Sequence, residues 1–497
     1  MFSSRQALDV IKRNKVKTVL AAAVATAIAY PVVKIAAYEQ STSAEHLQAK
    51  NIYLNDLSLQ SATLSETERP NIVFMVLDDM GYGDLSSYGS KAIQTPNIDA
   101  LAAGGLKLNN YYTAAPSSTP SRASMMTGRY PQKSGLIGVV WPEGHPLNNA
   151  LKLIDLTTYM PEDEILLPEI MKASGYQTSM IGKWHIGEAE PAKPHNRGYE
   201  EFYGAYFSND MPGYTIWHNE DVAIPTPVDQ TKLNAAYFDK AESMIENYSD
   251  DKPFFMYFAH AFPHVPLFAP EEELGKSDAG LYGDVMRTID DRVGQMVEKL
   301  KAEGKYENTV FVITSDNGAW FDGDAGDTRG RKFTTFDGGQ RVPFIVSWPA
   351  KIKQGQEVDS LVSGVDMLPT FAALAGVKEM PQDRIIDGFD LTKMFKGDIK
   401  GYEANNSNRK IWFPNAMRFD AFRDDNFKYR GPYTMYSNGL GDAIDMRKLQ
   451  EPNLYDYAFD MRESYDVTLK YPEITAKMAK ELEAKNQEII DNPRGWK

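Results

Sequence analysis

The sequence predicts an α/β protein: a large mixed, mostly parallel sheet sandwiched by helices, followed by a small C-terminal antiparallel sheet plus a helix. Two observations support this prediction. From Asn71 onwards, apolar runs of strand length alternate with helical stretches, which is typical of parallel strands covered on both faces. After about Gly401 the pattern changes to short polar and aromatic segments, such as "KIWFPNAMRF" and "NFKYRG".

Five apolar runs are the candidate strands of the large sheet: "NIVFMVLDD", "YQTSMIG", "PFFMYFAH", "TVFVITSD" and "PFIVSWPA". The segment "TPNIDALAAGG" predicts a helix with Thr95 as its N-cap and Pro96 at its first position. Further helices are predicted over 165–174, 233–247, 283–303, 367–375 and 474–490. Because ligands in such sheets bind beyond the carboxyl ends of the strands, functional residues are expected there.

Length and composition exclude several classes of protein. A chain of 497 residues favours one large domain with a smaller one. Its net charge of −15 argues against nucleic acid as the main ligand. The chain has no cysteine, which excludes disulfides, thiolate metal sites and a cysteine nucleophile.

The N-terminus predicts export. Four basic residues, Lys12, Arg13, Lys15 and Lys17, precede the apolar run "TVLAAAVATAIAYPVV". A basic segment before an apolar run of this length is typical of a secretory signal, with an uncleaved membrane anchor or a buried helix as alternatives. We expect residues 1–37 to be that signal or anchor, and the protein to be periplasmic or secreted. A membrane association is expected only if the anchor is uncleaved.

Composition also divides the rest of the chain. Residues 38–68 are rich in Ser, Gln and Glu and are interpreted as a linker. A catalytic domain is then expected over 69–400, and a C-terminal subdomain over 401–497.

Acidic residues end two of the predicted strands. Asp78 and Asp79 close "VLDD", and Asp316 and Asn317 begin the "DNG" of "TSDNG". Carboxylate and amide oxygens converging at one sheet edge are the ligands that Ca²⁺ or Mg²⁺ prefers. The alternative is that these acids only cap the loops or helices that follow them.

Basic side chains follow the other strands and their loops. Lys183 and His185 come after "GYQTSMIG", His260 and His264 lie in "FAHAFPHVP", and Lys332 lies in "GRKFTTFDGGQRVP". A single residue of this kind is more often structural than catalytic. Together with a cation, they form an apparatus for transferring a tetrahedral oxyanion, in which histidine carries protons.

The segment "APSSTPSRASMMTGRY" supplies a nucleophile to this apparatus. Ser118 lies in a loop just before Pro120, where a helix is predicted to begin, so the free N–H groups of that helix point at the same place. Arg122 is within reach to steady a group carried by Ser118. The alternative is a Ser-rich loop that only caps a helix.

These residues resemble a known family. "SSTPSRASMMTGR" is similar to the sulfatase signature, in which Cys or Ser precedes x-Pro-Ser-Arg and Thr-Gly-Arg follows, and "GYQTSMIGKWH" is similar to the family's second signature. The resemblance runs from about residue 70 to about residue 463. It identifies the chain as a type I (formylglycine-dependent) sulfatase of the arylsulfatase A-like kind, in the alkaline-phosphatase superfamily, and implies a sulfuric ester hydrolase.

The resemblance implies a modified nucleophile and a metal. Formylglycine would be made from Ser118, and a serine at this position implies the radical sulfatase-maturating enzyme as a partner; Ser117 is one residue out of register. One Ca²⁺ would be held by Asp78, Asp79, Ser118 as formylglycine, Asp316 and Asn317.

The resemblance also implies roles for the basic residues. Arg122 and Lys183 would orient the formylglycine, and His185 would deprotonate its second hydroxyl. His264 and Lys332 would bind the sulfate and help to protonate the leaving oxygen.

Ser208, in "YFSNDMPG", would join Lys183, His264 and Lys332 in binding the sulfate. His260 has no counterpart in the family pattern.

The substrate is expected to be a sulfated small molecule or glycan. Three loops carry aromatic residues beside His or Arg, which suit ring stacking and contacts with further sulfates, although several of the aromatics could equally belong to the core. The residues are Trp141, His145, Tyr214, Trp217, His218, Trp320, Arg329 and Arg331. Two alternatives stay open: a phosphate or phosphonate ester hydrolase of the same superfamily, and an inactive glycan-binding relative.

Overall fold

A computed structural model describes residues 33–61, 69–352, 355–406, 408–432 and 451–497. Nearly all of the signal peptide or anchor expected over 1–37 lies outside these ranges. Within them, no helix is both long enough and apolar enough to cross a membrane.

The strands are β1 (Asn71–Leu77), β2 (Leu106–Leu108), β3 (Tyr111–Tyr112), β4 (Gln177–Lys183), β5 (Glu201–Ala205), β6 (Ile216–His218), β7 (Asp221–Ile224), β8 (Phe254–Ala259), β9 (Thr309–Ser315), β10 (Phe344–Ser347), β11 (Gln356–Val358), β12 (Val362–Ser363), β13 (Ile411–Asn415), β14 (Arg418–Arg423), β15 (Phe427–Arg430) and β16 (Asn453–Asp456).

The α-helices are α1 (Ala44–Ser61), α2 (Pro96–Ala103), α3 (Ser118–Thr127), α4 (Pro131–Ser134), α5 (Pro146–Leu153), α6 (Leu167–Ala173), α7 (Leu233–Asn247), α8 (Gly280–Ala302), α9 (Asp337–Gln340), α10 (Met367–Leu374), α11 (Thr392–Phe395), α12 (Ile399–Asn405) and α13 (Pro472–Asp491).

Ten strands form the large sheet, in the order β11-β2-β10-β9-β1-β8-β4-β5-β6-β7. The central strands β9, β1, β8, β4 and β5 are parallel to their neighbours within that set, whereas β10 and β6 pair antiparallel with β9 and β5. The sheet is therefore mixed and mostly parallel, which confirms the predicted fold class.

The side chains of β1 show how the sheet is covered. Ile72, Phe74 and Val76 belong to one hydrophobic cluster, which includes residues of α3, α6 and α10. Val73 and Met75 belong to a second cluster, which includes residues of α2, α7 and α8. Alternate residues of a strand point to opposite faces, so both faces of β1 are buried by helices and its residues 72–77 are all apolar.

The C-terminal part contains the predicted antiparallel sheet and helix. Strands β13 to β16 pair in chain order, each antiparallel to the next. Phe419, Phe422 and Leu454 of this sheet pack in one cluster with Met478 and Leu482 of α13.

Two local predictions differ from the structure. Helix α3 begins at Ser118 rather than at Pro120, with Ser117 as its N-cap. Pro120 lies in the first turn, where a helix N–H has no intrahelical partner and a proline therefore loses nothing. Thr95 precedes α2 as predicted, but its side chain makes no capping hydrogen bond. Its hydroxyl bonds with Ser86 and Asp99 instead.

The segment interpreted as a linker, 38–68, contains helix α1, which contacts α6. Lys50 is buried and its ammonium group pairs with Glu169 at 2.6 Å. His46 stacks on Trp496, with 4.0 Å between ring centroids. Leu57 also packs in the core cluster, but ionic and aromatic contacts attach much of this helix, so hydrophobic periodicity alone does not reveal it.

A buried ionic group joins the C-terminal sheet to the large domain. The Lys428 ammonium group lies 2.9 Å from Asp337 Oδ1 and 2.7 Å from Glu463 Oε1, and all three side chains are fully buried. Tyr112 and Tyr457 donate their hydroxyls to the Asp337 carboxylate. One buried ammonium group thus contacts both carboxylates, and the positive charges of Arg423 and Arg341 also act on Asp337.

We expect Lys428→Met to lower the free energy of unfolding by about 3–5 kcal/mol, because the buried carboxyl groups of Asp337 and Glu463 lose the ammonium group they share. The matched control is Lys480→Met, which removes an exposed lysine of α13 and should cost less than about 0.5 kcal/mol. Urea unfolding of both variants and the wild type measures the two costs. An equal loss of unfolding free energy in the two variants would show that the buried ionic group does not stabilise the fold.

Candidate active site

Four neighbouring parallel strands, in the order β9-β1-β8-β4, end at one edge of the sheet. Asp78 and Asp79 follow the end of β1, Asp316 and Asn317 follow β9, and Lys183 is the last residue of β4. Parallel strands place their carboxyl ends on the same edge, so residues far apart in the sequence meet there. All five side chains are buried.

Helix α3 presents its first residue to this edge. The Ser118 hydroxyl lies 3.3 Å from Asp78 Oδ1 and 3.4 Å from Asn317 Oδ1, and the Lys183 ammonium group lies 3.3 Å from it. Ser117 is the N-cap, and its carbonyl accepts the Ser121 N–H. Of the two neighbouring serines, Ser118 is therefore the one that contacts the acidic residues.

The acidic residues are linked to one another by hydrogen bonds. The Asp79 N–H donates to Asp316 Oδ1 at 3.2 Å, and the Asn317 amide donates to Asp79 Oδ1 at 2.7 Å. Asp79 adopts a positive φ of 66°. Left-handed backbone is uncommon for residues other than glycine, but aspartate is among those that tolerate it best.

Three cations neutralise the acids. Arg122 donates from Nε to Asp316 Oδ2 at 2.9 Å, Lys183 forms an ion pair with Asp78, and Lys332 lies 2.8 Å from the Asp79 carboxylate. Arg122 also donates to the Lys183 carbonyl at 2.8 Å, so α3 and β4 are fixed to each other.

Burial and charge act in opposite directions on these acids. Burial alone would raise the pKa of Asp78, but Lys183, His264 and Arg122 outweigh it and hold that pKa below its ordinary value. The pKa of Asp79 is lowered in the same way, chiefly by Lys332. Both side chains are therefore carboxylates at neutral pH.

Two further groups line the same space. Ser208 lies between a cation and a histidine: its hydroxyl is 3.2 Å from the Lys183 ammonium group and 3.5 Å from His264 Nδ1. His264 Nε2 is 3.7 Å from Asp79 Oδ2. Ser208 and His264 therefore belong to the cluster around Ser118.

His185 is buried beside the same cations. Burial lowers its pKa well below the ordinary histidine value, and the positive charges of Lys183 and Arg122 lower it further. The imidazole is therefore neutral, as a proton acceptor must be. Its Nε2 is 3.3 Å from the Val140 carbonyl oxygen.

His260 has a different position. Its Nε2 bonds with Asn234 at 2.9 Å, its Nδ1 accepts the Phe262 N–H, and the ring is completely buried. The side chain is part of the packing beneath the site, which fits its lack of a counterpart in the family pattern.

The predicted substrate loops are largely engaged in internal contacts. Arg329 donates to the Glu463 carbonyl, and Arg331 donates to the Trp320 and Gly323 carbonyls. The remaining aromatic and histidine candidates make contacts within the protein. Tyr214 bonds with Tyr237, Trp217 packs on Tyr206, His218 pairs with Glu201, and Trp141 stacks on His145.

Sequence reasoning missed two residues that contact the site. Thr119 donates its hydroxyl to the His185 carbonyl, and it also accepts the Val140 N–H. The Tyr257 hydroxyl lies 3.5 Å from Arg122 Nη1. Thr119 occupies the variable position of the signature, and Tyr257 lies inside an apolar strand, so only the fold reveals their contacts.

The fold and the site together define a hydrolase of the alkaline-phosphatase-like kind, with a serine hydroxyl, an acidic cluster and several cations at one sheet edge. A family model described as "Sulfatase" matches residues 70–377, and a second, "N-sulphoglucosamine sulphohydrolase, C-terminal", matches 330–488. The chain belongs to the sulfatase family, whose members are sulfuric ester hydrolases.

Three similar proteins illustrate the relationship. N-acetylgalactosamine-6-sulfatase of Rattus norvegicus is 36% identical over 353 residues, which cover 66% of this chain and 66% of that protein. Arylsulfatase A of Homo sapiens is 30% identical over 452 residues, covering 82% and 85% of the two chains. The crystal structure of Ps i-CgsB in complex with k-i-k-neocarrahexaose has a TM-score of 0.71 at 27% identity, covering 86% of this chain and 94% of the other.

The chain thus spans about two thirds of the length of the N-acetylgalactosamine-6-sulfatase that it matches.

His260 generates a prediction about acid stability. Burial lowers the pKa of folded His260 from 6.5 to about 3. The unfolded chain binds a proton below about pH 6.5 and the folded chain does not, so this group's contribution to stability is complete above that pH and is lost as the pH falls. We expect the stability advantage of the wild type over His260→Gln to shrink by up to about 1.4 kcal/mol per pH unit below about pH 6.

Urea unfolding of both proteins between about pH 7.5 and pH 4.5 measures this difference across the titration range of histidine. A difference that stays constant over the whole range would show that His260 is protonated in the folded protein as easily as in the unfolded chain.

Proposed function

We propose that the protein hydrolyses a sulfate ester of a carbohydrate, through a formylglycine derived from Ser118 and one Ca²⁺. The observation that carries this proposal is the position of the Ser118 hydroxyl, within 3.4 Å of Asp78, Lys183 and Asn317. These side chains provide a nucleophile, acids and a cation, and the transfer of a tetrahedral anion requires all three.

The acidic residues suit calcium. Carboxylates and an amide are hard oxygen donors, which Ca²⁺ prefers. The acids Asp78, Asp79 and Asp316 are buried with Asn317, and oxygen or nitrogen atoms of Asp78, Asp79 and His264 lie within 4.8 Å of one another. The four acid and amide residues and the modified residue 118 would hold the ion. When bound, Ca²⁺ supplies positive charge opposite the sulfate oxygens.

Ser118 is the residue proposed for modification. It stands in Ser118-Thr119-Pro120-Ser121-Arg122, which matches the serine form of the family signature. The aldehyde hydrate of formylglycine supplies one hydroxyl to attack sulfur and a second through which sulfate is expelled. A radical sulfatase-maturating enzyme is the proposed partner in making it.

The surrounding residues have distinct proposed roles. Arg122 and Lys183 hold the residue derived from Ser118 by charge and orient its hydroxyls. Lys332 and His264 contact the sulfate, with Lys183 and Ser208 on its other oxygens. His264 gives a proton to the leaving oxygen, and neutral His185 takes a proton from the second hydroxyl.

Relatives support a carbohydrate substrate. The names of the similar proteins include N-acetylgalactosamine-6-sulfatase, and Ps i-CgsB was crystallised with k-i-k-neocarrahexaose. Steryl-sulfatase of Homo sapiens is 32% identical to this chain over 424 residues, so a steroid sulfate is the second candidate substrate. We propose a monosulfated sugar unit as the first substrate class to screen, because Arg329 and Arg331 are bonded to carbonyl oxygens rather than free for a second sulfate.

The proposed modification is tested on the tryptic peptide from Leu108 to Arg122. Protein made with a radical maturase should give a peptide that is two hydrogen atoms lighter than encoded, with the change on residue 118 in fragment spectra. Protein made without the maturase, and the variant Ser118→Ala made with it, should keep their encoded masses. An unchanged peptide despite an active maturase would favour the phosphate or phosphonate ester hydrolase, or the inactive glycan-binding relative.

The proposed calcium site is tested by ligand-dependent stability. Ca²⁺ at about 100 times its dissociation constant should stabilise the wild type by about 2.7 kcal/mol, because only the folded chain assembles the site. Asp79→Asn should lose most of this gain. The matched control is Asp290→Asn, which changes an acid that accepts the Asn97 and Ile98 N–H groups and should keep the full gain.

Differential scanning calorimetry with and without Ca²⁺ measures the effect. A gain that is the same in the wild type and in Asp79→Asn would place calcium elsewhere.

A further inference from the structure

The backbone of His185 is held by a residue next to the nucleophile. Thr119 donates its hydroxyl to the His185 carbonyl at 2.9 Å, and the same hydroxyl oxygen accepts the Val140 N–H at 3.2 Å. Thr119 itself is completely buried. A single hydroxyl therefore ties helix α3 to two loops, one of which carries His185.

The Val140 loop in turn fixes the imidazole ring. The Val140 carbonyl oxygen is 3.3 Å from His185 Nε2. A carbonyl can only accept, so this contact requires the hydrogen of the neutral ring on Nε2. Nδ1 is then the acceptor nitrogen, and within the described chain it is buried without a hydrogen-bond partner.

One other contact holds the same two loops together: the Glu143 N–H donates to Glu188. The loop of His185 is also fixed from the segment after α5, because the Met160 N–H donates to the Ile186 carbonyl. His185 has a positive φ of 60°, which persists only where neighbouring contacts enforce it. The Thr119 hydroxyl is the one side-chain donor among the described contacts that reaches the His185 carbonyl.

We propose that Thr119 is a positioning residue, whose hydroxyl holds His185 and Val140 so that Nε2 keeps the ring hydrogen and Nδ1 is left as the proton acceptor. This inference rests on the proposed function. In the proton transfer, the second hydroxyl of the hydrate derived from Ser118 would give its proton to Nδ1. Its oxygen would form the aldehyde C=O as the carbon–oxygen bond to sulfate breaks, while Nε2 keeps its hydrogen and donates it to the Val140 carbonyl. Thr119 contacts neither substrate nor metal in this role.

The test compares two substitutions at Thr119 with a matched one in the same helix. Thr119→Val keeps the shape but removes the hydroxyl, and Thr119→Ser restores it. The control is Thr127→Val, because Thr127 is equally buried in α3 and donates its hydroxyl only to carbonyl oxygens of neighbouring residues. Both valine variants lose one buried hydroxyl, so a general loss of stability affects both.

Turnover of para-nitrophenyl sulfate is divided by the fraction of residue 118 converted to formylglycine, since Thr119 and Thr127 both lie inside the sulfatase signature. We expect kcat of Thr119→Val to fall by about a hundredfold with KM within about twofold, because misplacement of a catalytic group slows the chemical step. Thr119→Ser should recover most of kcat, and Thr127→Val should keep it. An unchanged kcat in Thr119→Val overturns the proposal.

A second measurement does not depend on turnover. Nuclear magnetic resonance of labelled imidazole nitrogens reports which ring nitrogen carries hydrogen, and His185→Gln assigns the signal among seven histidines. We expect His185 to carry its hydrogen on Nε2 in the wild type and to populate both tautomers in Thr119→Val. If the fully matured wild type is inactive on sulfate esters but Thr119→Val still populates both His185 tautomers, the proposed function is refuted. The role of Thr119 in positioning His185 is then still supported. The Nδ1–H tautomer in the wild type would refute that role.

Discussion

The neutralisation of three buried carboxylates by three buried cations is the constraint on which the active site depends. Arg122 pairs with Asp316, Lys183 pairs with Asp78, and Lys332 pairs with Asp79. Each acid follows a strand of the sheet, whereas the cations come from a helix, a strand and a loop. Without one cation, a carboxylate would stay charged in a buried place at a cost of several kcal/mol. Charge balance therefore requires these elements to meet at one sheet edge.

The loop that carries Lys332 is held in part from the C-terminal sheet. Asp337, five residues later, is bound by Lys428, and Arg430 donates to the Thr335 carbonyl at 3.0 Å. Both basic residues lie on β15 and are completely buried. The small sheet thus fixes a cation of the large domain's site. For this reason the two parts are joined by charged contacts as well as apolar ones.

The sequence was sufficient for the central strands and for the residues at their ends. Continuous apolar runs of strand length, such as that of β1, are typical of strands buried on both faces, and the family signatures place Ser118 in the right register. Helix α1 was missed because Lys50 and His46 attach it through partners more than a hundred residues away. Thr119 was missed for a similar reason: its hydroxyl acts on His185 and Val140, which only the folded chain brings together.

In the proposed function, the residues at this edge of the sheet hydrolyse sulfate esters, and the modified Ser118 is the nucleophile. The most direct test compares kcat/KM for para-nitrophenyl sulfate and para-nitrophenyl phosphate in preparations with different degrees of Ser118 conversion. We predict that sulfate turnover rises in proportion to conversion and exceeds phosphate turnover in every converted preparation. Turnover that is independent of conversion, or a preference for the phosphate ester, would contradict the proposed function.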